Sequence, residues 1–129
     1  DRRADAVALA RGWAMGQVFA LANPEAAVRI HWEMYPQSRP TGKDEATALR
    51  DDVKVLQARM VHWRLESGGV TQWGESNIKN FDAYIAFLSK WKIVPVQVPA
   101  SEIVTNDLIA DINKFDAAAI VKLAGEYKP

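Results

Sequence analysis

Histidine and carboxylate side chains are the groups in this chain that could do chemistry. There are two histidines, His31 and His62. His31-Trp32-Glu33 has the His-x-Glu form of the zinc deaminases, but that chemistry also needs a downstream cysteine pair, and the chain has no cysteine. The same absence removes disulfides, thiolate metal sites and a cysteine nucleophile. No metal site and no cofactor are therefore expected. Asp51-Asp52 and Glu66 could suggest paired carboxylates for acid–base work. Neighbouring residues on a helix point about 100° apart, so Asp51 and Asp52 do not converge. There is no Gly-x-Ser-x-Gly, phosphate-cradling loop or dinucleotide fingerprint. The expectation is a protein that is not an enzyme.

Five tryptophans occur in 129 residues. Trp13, Trp32, Trp63 and Trp91 fall on helical stripes and read as core packing. Trp73 differs, lying in the polar stretch Glu66 to Asn77. An aromatic ring among polar neighbours can line a small-molecule cleft. Trp73 and Asn77 are the candidate ligand-binding residues, although Trp73 could equally staple its loop to the next helix.

The elements that must position these residues are helices. Apolar residues make up 49% and charged residues 25%, the balance of a globular domain with a real core. Lysine and arginine match aspartate and glutamate at 16 each, so no global basic field suits nucleic acid. Arg3 to Ala22 is Ala-rich, free of proline and apolar nearly all round, which implies packing on more than one side. Asn23-Pro24-Glu25 restarts a helix to about Tyr35, ended by Pro36. A third helix is expected from about Lys43 to Glu66, with the seam Ala46, Leu49, Val53, Leu56, Met60 and Trp63.

Ser76 or Asn77 can cap a helix from Ile78 to Trp91. Thr105 can cap one from Asn106 to Asn113, and Asp116 one from Ala117 to Glu126. Lys92 to Val98 is β-rich but bracketed by Pro95 and Pro99, at best an edge strand or an extended connector. The expected fold is all-α, with about six helices and at most one short strand, over a single segment 1–129.

The terminal stretch Val104-Thr105-Asn106-Asp107-Leu108-Ile109, followed by Ile112-Asn113-Lys114-Phe115-Asp116, resembles the C-terminal part of a family of solute-binding proteins of ABC importers. These are the nitrate/sulfonate/taurine binders and the related thiamine-pyrimidine-precursor binders. Asn23-Pro24-Glu25-Ala26-Ala27 after an Ala-rich helix, and Phe87-Leu88 before Lys92-Ile93-Val94, fit the same pattern. These motifs are caps and packing positions and carry no ligand contact.

Members of that family are much longer and fold as two α/β lobes that close on a ligand. The resemblance therefore implies that this chain is a helical C-terminal portion of such a binder. It implies a periplasmic location, a small-molecule or anionic ligand (sulfonate, nitrate, taurine or pyrimidine type), and delivery to an ABC permease. Most of the ligand site is expected upstream, so the 129-residue chain alone is expected to bind no ligand. Apolar helix faces left without their lobes should make it self-associate. The alternative reading is a free-standing helical protein-interaction module.

Overall fold

The computed structural model describes residues 2–95 and 98–128. They form α1 (Arg3–Ala22), α2 (Pro24–Met34), α3 (Glu45–Met60), α4 (Leu65–Gly68), α5 (Ile78–Lys90), α6 (Ile109–Ile112) and α7 (Ala117–Glu126), with 3-10 turns at Pro36–Ser38 and Ala100–Glu102. The fold is all-helical, and no strand occurs among the described residues. In the β-rich segment, residues 92–95 form a turn and bends, with the Ile93 N–H bonded to the Leu88 carbonyl; Val96 and Gln97 lie outside the described residues.

The caps follow the local sequence. Asn23 Oδ1 accepts the Ala26 N–H at 3.0 Å, with Pro24 at the first helical position of α2. Asp44 Oδ1 accepts the Thr47 N–H at 2.9 Å, Asn77 Oδ1 the Asn80 N–H at 3.2 Å, and Asp116 Oδ1 the Ala119 N–H at 3.0 Å. Each satisfies an amide that the first helical turn leaves without a backbone partner.

Two expected helices are shorter than the sequence suggests. The third does not reach Glu66. It ends at Met60, and His62 and Trp63 donate to the carbonyls of Arg59 and Met60 in a tight turn. Arg64 is extended before the single turn α4, which Gly69 closes in the left-handed region. The run Val61-His62-Trp63 has three weak helix formers in a row, and nothing in the seam offsets them. The helix expected over Asn106–Asn113 is reduced to α6. Thr105 Oγ1 accepts only the Asp107 N–H, at 3.2 Å, and the Asn106 side chain is engaged elsewhere.

Two separate apolar clusters hold the chain. Val7 and Ala14 of α1 pack on Ile109 and Ile112 of α6, with Trp73 and Phe115 against them. Val28 and Trp32 of α2 pack on Ala48 and Leu49 of α3. Trp32 is buried, and its indole N–H donates to the Asp52 carboxylate at 2.9 Å. Arg29 and Arg39 both reach Glu45, at 2.9 and 2.8 Å, and Arg39 stacks over the Trp32 ring. The α2–α3 pair is thus closed by charge outside and by burial inside.

The last helix returns to the first. Phe19 meets Tyr127 edge-to-face at 5.9 Å, and Asn23 Nδ2 donates to the Ala124 carbonyl at 2.8 Å. At the other end of α1, Arg3 and Arg11 bond to Asp111, the latter through its carbonyl at 2.6 Å.

The core stays thin. Trp13 and Trp91, expected inside, are 71% and 63% exposed. Helical spacing places a residue on a face, but nothing covers those faces here. The accessible surface is 9240 Å², roughly a third above the ~6,800 Å² that size scaling gives a compact monomer of this mass.

Candidate functional site

The loop between α4 and α5 is held by side chains from the far end of the chain. The Trp73 N–H donates to Asn113 Oδ1 at 3.0 Å, and Asn113 Nδ2 donates back to the Trp73 carbonyl at 2.9 Å. The same nitrogen donates to the Ile109 carbonyl at 2.8 Å, anchoring the amide to α6. Asn106 repeats the device: its Oδ1 accepts the Ser76 N–H at 2.9 Å and its Nδ2 donates to the Ser76 carbonyl at 3.0 Å. Each amide presents one acceptor and one donor, as an adjacent strand would, so two side chains pair with the loop backbone in place of a sheet.

Inside the loop, Glu75 Oε2 accepts the N–H groups of Thr71 and Gln72 at 2.8 and 3.1 Å. Those amides favour the ionised form and hold the Glu75 carboxyl below its ordinary value. Its charge is spent on the loop. Gly74 adopts a positive φ of 80°, and a Cβ there would touch Ile109 and Ile112 at 3.6 Å. The loop backbone therefore lies directly on α6.

A cavity of about 320 Å³ opens beside this loop, and both candidate residues line it. Trp63, Trp73 and Phe81 supply aromatic wall. Gln17, Gln72 and Asn80 supply amides, and Arg64 a positive charge. Glu75 also lines the cavity and balances that charge, so the lining suits a small planar polar molecule. Trp73 also packs against the α1–α6 cluster, and Asn77 caps α5, so both residues are framework first.

The remaining candidates do not converge on this cavity. His62 lines it, whereas His31 lines a different cavity beside Asp52 and Trp63. Asp51 pairs with Lys43 at 2.8 Å. Glu66 is exposed, and it does not line the cavity. No group of three or more histidine, aspartate or glutamate side chains among the described residues could hold a metal ion. No helix among them is long and apolar enough to cross a membrane.

Composition and spacing do not mark Asn106 and Asn113 as positioning residues. Asn113 lies 40 residues from Trp73, and a side-chain amide bridging that distance leaves no periodic trace. The only sequence signal was the terminal motif that contains both.

The chain matches no protein-family model, no curated protein and no solved structure.

Proposed function

We propose that this chain is the helical C-terminal portion of the solute-binding component of an ABC importer. The ligand class is a sulfonate, nitrate, taurine or pyrimidine type, captured between lobes and handed to a membrane permease at the periplasmic face. The observation that carries the reading is the uncovered apolar surface. Leu9, Trp13, Tyr84, Phe87, Trp91, Ile93, Ile103 and Leu123 are each more than half exposed, and the total surface far exceeds that of a compact monomer. Helices that clothe a larger α/β body need such faces.

The residues behind the resemblance support it in a second way. Asn23 caps α2 and ties it to α7. Asn106 and Asn113 clasp the Trp73 loop, Phe115 packs on the α1–α6 cluster, and Asp116 caps α7. These five motif positions have framework roles, as a C-terminal brace requires. On this reading the chain performs no catalysis. The cavity beside Trp73 lies at the margin of the site, and the main ligand contacts come from the lobes.

The test is to express the whole reading frame that contains Asp1 and titrate it calorimetrically with taurine, nitrate, an alkanesulfonate and a hydroxymethylpyrimidine. Micromolar binding of one of these by the whole product, and none by residues 1–129, is expected. A frame that opens at Asp1, or a whole product that binds none of them, overturns the reading.

A further inference from the structure

A second cavity, of about 550 Å³, lies along the first turns of α1. Its polar lining is Arg3 and Arg11 of α1, with Asp111 of α6 and Lys114 just beyond it. Ala4, Val7 and Ala8 form an apolar wall. Arg3, Val7 and Arg11 are spaced by four, so one face of α1 presents them together. Three cations therefore meet one carboxylate. That carboxylate is engaged on both oxygens, Oδ2 by Arg3 at 2.8 Å and Oδ1 by Lys114 at 2.7 Å. Asp5 pairs with Arg2, and neither Asp5 nor Asp107 lines the cavity. Arg11 is left without a carboxylate. Its guanidinium donates one hydrogen bond, to the Asp111 carbonyl at 2.6 Å. Its Nε is the buried side-chain polar atom left without a partner among the described residues. A guanidinium carries five donors, and a partly desolvated cation without a counter-charge is costly.

We infer that this cavity binds a small organic phosphate monoester as its dianion. Two negative charges balance the excess of two positive charges that the lining leaves. The unused N–H groups of Arg11 donate to the phosphoryl oxygens, and Arg3 and Lys114 flank them as further cations. The anion supplies the counter-charge that the partly buried guanidinium lacks. A bare oxyanion would fill only part of 550 Å³, and the wall of Ala4, Val7 and Ala8 takes the organic remainder. The inference goes beyond the importer reading. Nitrate, taurine, an alkanesulfonate and a hydroxymethylpyrimidine are not dianions, so a panel of these with no binder leaves this site untouched.

Calorimetric titration of the 129-residue chain at low salt tests it, with phenyl phosphate as the probe and benzenesulfonate as its monoanionic match. One phenyl phosphate should bind per chain, about tenfold more tightly than benzenesulfonate. Lys114→Gln removes an exposed cation, so it should weaken binding several-fold with little effect on stability. Ala8→Glu sets a carboxylate one helical turn from Arg11, at an exposed position. It supplies the missing counter-charge from within, so it should abolish binding and raise the melting temperature. Arg59→Gln, the same loss of charge beside a different cavity, should leave the affinity unchanged. No saturable binding of phenyl phosphate below about 10 mM overturns the inference. So does equal affinity for the two probes, binding unaffected by Lys114→Gln or Ala8→Glu, or binding lost with Arg59→Gln.

Discussion

Trp73 and Asn113 exchange a reciprocal pair of hydrogen bonds, at 3.0 and 2.9 Å, across 40 residues of sequence. One side-chain amide thereby fixes an irregular loop to α6 and seats the Trp73 ring on the α1–α6 cluster.

Asn113→Ala should therefore be costly. It removes three hydrogen bonds from a half-buried side chain. At about 1 kcal/mol for each bond, a loss of roughly 2–3 kcal/mol is expected in urea unfolding. Asn113→Asp is nearly isosteric but faces two carbonyls with acceptor oxygens, so it should cost at least as much as alanine. An unfolding midpoint unchanged by either substitution would show that the clasp is not formed in solution.

Asn23 separates into two functions in the same way. Its oxygen caps α2 and its nitrogen holds Ala124. Asn23→Asp keeps the cap and loses the tether, while Asn23→Ala loses both. Alanine should cost about 1 kcal/mol more than aspartate, the usual worth of an N-cap. Thermal melting of the two variants measures the difference.

Acid should loosen the α2–α3 pair. Arg29, and then Arg39, hold the Glu45 carboxyl below its ordinary value of 4.5 through hydrogen bonds. Asp51 is lowered by Lys43, and Asp111 by Lys114 and Arg3. A carboxylate with a depressed folded value stabilises the fold above its unfolded value, and that stabilisation disappears as pH falls through the folded value. The melting temperature should be flat near neutrality and fall below about pH 4.5, less steeply at high salt because these pairs are exposed. Glu45→Gln should flatten the slope; an unchanged profile would remove Glu45 from the account.

Lys92 sits just past α5 with φ at 56°, in the left-handed region that a side chain disfavours. Its N–H bonds to the Ser89 carbonyl and that of Ile93 to Leu88, closing the helix end. Lys92→Gly should raise stability by about 1 kcal/mol, read from the unfolding midpoint. A loss instead would mean that the Lys92 side chain makes contacts that outweigh its strain.

What could be read in the sequence follows the range of each interaction. Asn23-Pro24 and Asp116 announce helix starts because the cap and the capped amide are three residues apart. The break after Met60 is faint in the sequence, because Val61-His62-Trp63 is its one mark, no glycine or proline stands there and the apolar seam runs on through Trp63. Thr105 looked like a helix cap, but Asn106 beside it serves Ser76, 30 residues away. Helical spacing assigns Trp13 and Trp91 to a buried stripe, yet both face solvent. Periodicity reports which residues share a face, whereas burial depends on what lies opposite. The loop around Trp73 stood out by composition, while the amides that fix it did not.

The two apolar clusters differ in how soon the chain can complete them. The Trp32–Asp52 bond spans 20 residues, and the Arg11–Asp111 bond spans 100. Closure of short loops is fast and closure of long ones slow. As the chain leaves the ribosome, α2 and α3 can pair while the rest is still being made. Val7 and Ala14 of α1, made before either of these helices, must wait for Ile109 and Ile112. The cluster that holds α1 is thus completed only after α6 has been made, long after the α2–α3 pair can close.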